Sequence, residues 1–331
     1  MTFAHTPAES DARPGPVAVL VVTWNSARVL PDFVASLPSG MAGLDWQLVV
    51  ADNDSADDTV EVVRRLAPDA VIVQTGRNAG YAAGVNAALA AAAGRPGGIR
   101  AALVCNPDIR MREGCAASLV AALGRPLPDG SRVGISVPLL YEQDGTVVRS
   151  LRREPSVSRA FGEAVLGNRR AGRFRHLGEL VTDPAAYTSA TRADWATGAL
   201  MALSRECLDT CGPWDESFFL YSEETEYCLR ARDAGFATLL RPDASAVHLG
   251  GDSRVSPFLW TLLVLNRVRL HRRRHGPIGA AAFWAAVLLR EISRAALGRA
   301  PSRAAVAALL SPATLRRAPG PAPRAPISAT S

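Results

Sequence analysis

The chain has 331 residues and is 48% hydrophobic, enough for a full α/β domain with an appendage and too much for one small module. Its basic residues are all arginine. Up to residue 249, 24 arginines face 29 acids, a net −5, whereas from residue 250 onward 13 face 2, a net +11. The net charge of +6 therefore belongs to the C-terminal stretch, which lacks the interleaved aromatics or module of a nucleic-acid binder, so no nucleic-acid partner is expected.

The first sixteen residues are polar and proline-containing, with no apolar core behind a basic start. They read as a disordered N-terminus without a signal peptide, and the expected location is cytoplasmic. Residues 17–22 form a continuous apolar run bounded by Pro16 and Thr23, as a buried parallel strand requires, and a helix is expected over 26–37. A second strand over 47–51 ends in Asp52, after which Ser55 or Asp57 can cap a helix carrying Val60, Val63 and Leu66. Residues 71–73 make a third strand. Gly76, Asn78, Gly80 and Gly84 then turn into an alanine-rich helix ending near Gly94, and residues 101–105 make a fourth strand. Strand and helix alternate throughout, which predicts an α/β domain with a parallel, doubly wound, Rossmann-like sheet.

Asn106, Pro107 and Asp108 leave the carboxyl end of that fourth strand, where open α/β sheets bind ligands. A helix over 113–123, a strand over 133–140 and a turn at Gly145 follow. Residues 152–193 are arginine-rich and aperiodic and read as a mobile loop region. Order returns with a strand over 199–203 and a short helix capped by Ser204. A further helix opens at Glu223, Glu224 and Glu226, closes on Arg230 and Arg232 and stops at Gly235, with short strands over 236–240 and 244–248. Helices are expected over 258–270 and 278–297, then a disordered tail over 301–331. The apolar stretch 278–289 is too short to span a bilayer, leaving an interfacial helix, a packed hairpin and a homodimer contact as readings. The five cysteines, Cys105, Cys115, Cys207, Cys211 and Cys228, form no CxxC pair and are odd in number, so they read as reduced core thiols.

Asp52 ends the second strand, where dinucleotide enzymes hold a ribose. The first strand, however, runs into Thr23, Trp24 and Asn25 without the GxGxxG turn, which argues against a nicotinamide enzyme. Trp24 can still stack on a base while Asp52 accepts from it; alternatively Asp52 caps a helix. Among the glutamates at 223, 224 and 226, those one or two positions apart do not share a helix face, so they can serve different ends, one of them as a general base, or they simply favour a helix N-terminus. His248 precedes Gly250 and Gly251, a place for a metal ligand or for a structural histidine.

Together these pieces resemble a known family. VLVVTWN at 19–25, VADNDS at 50–55, RNAG at 77–80 with Gly84 and Asn86, NPD at 106–108, WATG at 195–198, WDE at 214–216, YSEETE at 221–226 and His248 occur in the order of family 2 glycosyltransferases, most like the bacterial rhamnosyltransferase and galactofuranosyltransferase branch. The resemblance covers about residues 17–250. It implies a GT-A fold with a nucleotide-binding half over 17–108, an acceptor half over 109–250 and a helical, basic extension over 251–300.

By the same resemblance, Thr23, Trp24, Asn25 and Asp52 form the nucleoside pocket, with Asn78, Gly80 and Asn106 near the sugar nucleotide. Asp108 and His248 hold Mg²⁺ or Mn²⁺. Asp194 and Trp195 face the acceptor, and Glu224, with Glu223 beside it, is the base of an inverting transfer. Two departures from the family pattern are Asn106 for an acid and Glu224 for the usual aspartate. The implied donor is a dTDP- or UDP-sugar and the acceptor a glycan or lipid-linked glycan. The basic stretch 255–300 is expected to meet a membrane surface at the inner face of the plasma membrane. A sugar nucleotidyltransferase and a non-catalytic nucleotide- or glycan-binding protein are the alternatives.

Overall fold

The structure, a computed structural model, describes residues 15–94, 97–250 and 256–321. The expected N-terminal disorder thus lies outside the described residues except at Gly15 and Pro16, as do Gly251 and the tail beyond residue 321. The chain opens with β1 (Val17–Thr23), α1 (Leu30–Met41), β2 (Trp46–Asp52), α2 (Thr59–Leu66), β3 (Val71–Gln74), α3 (Tyr81–Ala93) and β4 (Ala101–Cys105). The four strands pair in parallel in the order β3-β2-β1-β4. Helix α1 starts four residues later than the sequence suggests. Pro31, which has no N–H to give, is accommodated in its first turn, and Ser26 to Val29 form the turn that precedes it.

Beyond β4 come β5 (Ile109–Met111), α4 (Cys115–Ala122), β6 (Arg132–Tyr141), β7 (Val147–Val148), β8 (Leu151–Arg152), α5 (Val157–Leu166), α6 (Asn168–Ala171), β9 (Thr191–Ala193), β10 (Trp195–Ala196), β11 (Leu200–Ser204), α7 (Arg205–Cys211), α8 (Glu223–Asp233) and β12 (Phe236–His248). The main sheet continues from β4 as β11-β6-β12-β5. Here β11 runs antiparallel to both neighbours, β12 lies parallel to β6, and β5 closes the edge antiparallel to β12. Two strands were expected over 236–248. They are one, with a register shift between Arg241 and Ser245 that accommodates Pro242.

Alternation along β1 divides the interior. Ala18, Leu20 and Val22 join α3, α7 and α8 in one core, while Val17, Val19 and Val21 join α1, α2 and α4 in the other. All five cysteines are free, and four of them are buried.

Residues 152–193 are not the loop region expected. Helix α5 buries Ala160 in a third core with Val264 and Val268 of α9 (Pro257–Arg274), Phe283, Ala286 and Val287 of α10 (Pro277–Ala296), and Ala305 and Leu309 of α11 (Ala300–Leu309). An ion cluster fastens this layer: Arg267 of α9 meets Glu163 of α5 at 3.2 Å and also pairs with Glu179. The tail is also more ordered than its composition suggests, since α11 and α12 (Pro312–Arg316) continue the helical layer. Among the described residues, no helix is long and apolar enough to cross a membrane.

Candidate active site

The carboxyl ends of β1, β4 and β12 and the start of α8 surround a cleft of about 580 Å³. Trp24, Asn25 and Arg28 line it after β1, Asn106 to Asp108 after β4, and His248 to Gly250 after β12, with Glu223 and Glu224 from α8. Ligand sites form at such strand ends because successive loops diverge there and leave space between them.

On the β1 and β2 side, the local geometry is built around Asp52. Its carboxylate is buried and accepts from Thr23 Oγ1 at 2.8 Å, Ser55 Oγ at 2.6 Å and the Ser55 amide at 3.0 Å. Three of roughly four acceptor positions are thereby taken. Asn25 adopts a left-handed φ of 51° and joins the two loops, its amide donating to Ser55 Oγ and its Oδ1 accepting from the Ala56 amide, both at 2.8 Å. The ring of Trp24 remains 57% exposed, so its face is open to a planar partner. Thr23, Asp52, Asn78 and Gly80 do not line the cleft itself. Asn78 Oδ1 accepts from the Gly80 amide at 3.3 Å, and Gly80 sits at φ 92° against the Phe219 carbonyl.

Asp108 and His248 are brought together by backbone pairing. Antiparallel β5 sets Ile109 opposite His248, so the preceding residue, Asp108, meets the end of β12. The Leu249 amide donates to the Asp108 carbonyl at 3.2 Å and the Gly250 amide to Asp108 Oδ2 at 3.0 Å. His248 Nε2 lies 3.3 Å from the same oxygen. Burial alone would raise the Asp108 pKa, but the contacts from His248 and the Gly250 amide hold it below the ordinary carboxylate value. Among the described residues, no group of three or more His, Cys, Asp or Glu side chains is arranged to hold a metal ion, so these two residues alone make no complete cage.

Glu224 of α8 diverges from Glu223 and from Glu226, which lie one and two positions away. Glu226 forms a two-pronged ion pair with Arg230 at 2.9 and 2.8 Å. Glu223 is buried, with Oε2 lacking a partner; burial first, then the neighbouring Glu224 charge, pushes its carboxyl well above the usual range. Glu224 is half-buried and raised as well, chiefly by burial, while backbone hydrogen bonds and Arg152 moderate the rise. Its Cβ is crowded against Gly198, where any side chain would intrude.

A second cavity, of about 460 Å³, adjoins the cleft and shares Thr197, Tyr221, Glu224, His248 and Gly250 with it. Trp195 and Arg152 line this cavity, as do Trp260 and Arg267 from the C-terminal helices. Trp195 is oriented by its indole N–H, which donates to the Arg153 carbonyl at 3.0 Å. Asp194 belongs to neither wall. Its Oδ2 accepts from the Glu154 amide at 2.8 Å and its Oδ1 lies 3.6 Å from Arg232, so here the carboxylate holds the chain.

Sequence reasoning missed Tyr81, whose buried hydroxyl has no partner and faces the same cleft as Glu223. It also missed Gly198, Arg152 and Trp260. Tyr81 follows the Gly80 turn directly, a signal that was available; the other three are placed by tertiary contacts.

Residues 18–159 match the family described as glycosyl transferase family 2. Over 239 residues the chain is 29% identical to an N-acetylglucosaminyl-diphospho-decaprenol L-rhamnosyltransferase of Mycobacterium tuberculosis, covering 70% of this chain and 75% of the relative. It is 25% identical over 225 residues to the low-salt glycan biosynthesis hexosyltransferase Agl10 of Haloferax volcanii, covering 65% and 61% respectively. Among solved structures, the fold is similar to that of GalNAc-T7 with UDP, GalNAc and Mn²⁺, at a TM-score of 0.50 and 16% identity over 78% of this chain and 48% of that one. With the sheet order and cleft described above, residues 18–159 carry the match to family 2 glycosyl transferases, on a GT-A fold, in a chain that is similar to the rhamnosyltransferase branch.

Proposed function

We propose that the protein moves a rhamnose-like or other hexosyl group from a dTDP- or UDP-sugar to a hydroxyl of a glycan or lipid-linked glycan, with inversion, in cell-envelope polysaccharide assembly. One observation carries this reading: Glu224 borders both the cleft and the second cavity. A carboxylate at that junction stands between a donor held in one and an acceptor held in the other. Residues 17–108 then serve as the donor half and 109–250, with the helical extension, as the acceptor half.

In the donor half, Trp24 stacks on the base, while Thr23, Asn25 and Asp52 shape the loop that receives the nucleoside. Asn78 and Gly80 act one step back by fixing the turn before α3, and Asn106 offers an amide toward the diphosphate. A divalent ion, Mg²⁺ or Mn²⁺, fits Asp108 and His248: their facing atoms are 3.3 Å apart, close to the roughly 3 Å between adjacent ligands of a six-coordinate ion with bonds of about 2.1 Å. Held by Asp108 and His248, such an ion would supply charge neutralisation to a departing diphosphate.

For transfer, the acceptor hydroxyl enters along Trp195 and gives its proton to a Glu224 oxygen. Its oxygen forms a bond to the anomeric carbon as the bond from that carbon to the diphosphate breaks on the opposite face. A carboxyl held above its ordinary pKa is a stronger base for this step, and one displacement inverts the centre. The more buried Glu223 is the weaker candidate because it does not line the second cavity.

The test pairs two readouts. Nucleotide sugars should raise the melting temperature in a metal-dependent way, and the product of the best donor should carry the anomeric configuration opposite to that donor. Retention, or no stabilisation by any nucleotide sugar, would sink the reading. Activity from a nucleoside triphosphate and sugar phosphate without acceptor would favour a nucleotidyltransferase, and nucleotide binding without turnover a non-catalytic protein; neither is favoured by the relatives, which are named as transferases. A lipid-linked acceptor places the enzyme peripherally at the inner face of the plasma membrane.

A further inference from the structure

The outer face of α5 and the turn after α6 are unused by the transfer chemistry. Phe161, Val165 and Leu166 of α5 are exposed by 39, 74 and 38%, and Phe174 and Leu177 of the turn by 55 and 37%. These two segments form one surface. Gly162 presses on Leu177 so closely that an added Cβ would lie 2.3 Å from the Leu177 carbonyl oxygen, and Arg159 Nε donates to the Arg175 carbonyl at 3.1 Å.

Arg169, Arg170, Arg173 and Arg175 are exposed within the same stretch. No acidic residue occurs between Glu163 and Glu179, and both of those turn inward to Arg267. The contrast with the basic stretch at the end of α9 is sharp: Arg273 pairs with Asp215, and Arg274 with Glu154 and Asp233. Among the described residues these four guanidinium groups form no ion pair, and, interleaved with exposed aromatic and aliphatic side chains, they suit a partner that offers anions and hydrocarbon at the same depth.

We infer that the outer surface of residues 161–177 seats the protein on an anionic lipid bilayer. Lipid phosphates meet the four arginines, and the five apolar side chains enter the boundary between headgroups and acyl chains. The same segment supplies Glu163 and Asn168 to the second cavity, with Glu179 just beyond it, so docking by its outer surface brings that cavity to the membrane. Helices α9 and α10 bury Val264, Val268, Phe283, Ala286 and Val287 in the third core, while Ile278 and Leu297 stay exposed and serve as the comparison surface. The inference stands on the surface itself and goes beyond the transfer reaction.

The test is co-sedimentation of the full-length chain with vesicles of phosphatidylcholine alone and of phosphatidylcholine with phosphatidylglycerol. Binding is expected only to the anionic vesicles, and to weaken as salt rises. Arg170→Glu with Arg173→Glu, and separately Val165→Ser with Phe174→Ser, should each weaken it by about tenfold or more. Ile278→Ser with Leu297→Ser, at the exposed ends of α10, should bind as wild type. All three variants should melt as wild type and transfer sugar to a short soluble acceptor at the wild-type rate. Failure of the wild type to bind anionic vesicles at low salt, wild-type binding by either surface variant, or equal binding to neutral vesicles overturns the inference. Loss of soluble transfer by the wild type would instead count against the transferase reading alone.

Discussion

Replacing Gly198 by alanine tests whether the position of Glu224 governs the rate. An added methyl would lie 3.0 Å from the Cβ and 3.3 Å from the Cγ of Glu224, and 3.9 Å from Met201 Sδ. Carbon atoms rest at about 3.5–4.0 Å, so the pair must part by roughly half an ångström. Gly198 is the less able to yield, because it sits between β10 and β11, and Leu200 is already in register with Cys105 of β4. The displacement therefore falls on the Glu224 side chain in the first turn of α8. A misplacement of about 1 Å can cost around a hundredfold in rate, so half of that predicts a loss of about tenfold in kcat, and up to a hundredfold if the carboxylate rotates. Overpacking should cost about 1–3 kcal/mol. The assays are steady-state transfer at saturating donor and acceptor, and a melt with and without nucleotide sugar. Wild-type kcat in a variant that folds and still responds to nucleotide would refute the reasoning.

Other perturbations probe the scaffold and the electrostatics. Gly80→Ala places a Cβ 2.4 Å from the Phe219 carbonyl oxygen at a φ of 92°, and it should disrupt the 2.7 Å bond from the Tyr81 amide to that oxygen; a loss of about 2 kcal/mol or more, seen as a lower melting temperature, is expected. Arg267→Ala leaves Glu163 and Glu179 buried without their partner and should cost about 3–5 kcal/mol, with denaturant unfolding as the measure. An unchanged midpoint would mean that the C-terminal helices are not fastened as described. For Glu223, an acid raised in the folded state favours folding below its ordinary value of 4.5, a benefit lost as pH rises through the folded value. Glu223→Gln should accordingly gain melting temperature relative to wild type as pH increases; a difference independent of pH would contradict the assignment.

The legible parts of this fold are those whose burial is symmetric. Strands β1 and β4 are covered on both faces, so they read as unbroken apolar runs closed by polar residues, and Thr23 and Asn106 could be placed at their ends from composition alone. The divergence of Glu224 from Glu223 and from Glu226 is also legible, since residues one or two positions apart on a helix do not share a face. Helix α5 is not, because Ala160 is buried in a core whose other buried members lie on α9, α10 and α11, more than a hundred residues away. The adjacency of Asp108 and His248 depends on the pairing of β5 with β12, which neither segment announces. The surroundings of Asp194 are not legible in the same way, because proximity in sequence to Trp195 says nothing about the Glu154 amide and Arg232 that engage it.

The central claim is that Glu224 takes the acceptor proton at the junction of the two cavities. Its most direct test is the transfer rate of Glu224→Gln at saturating donor and acceptor, alongside nucleotide-sugar stabilisation of the same variant. The account predicts a fall of about a hundredfold to ten-thousandfold in kcat with stabilisation retained, because only the base is removed. Transfer at the wild-type rate would contradict it.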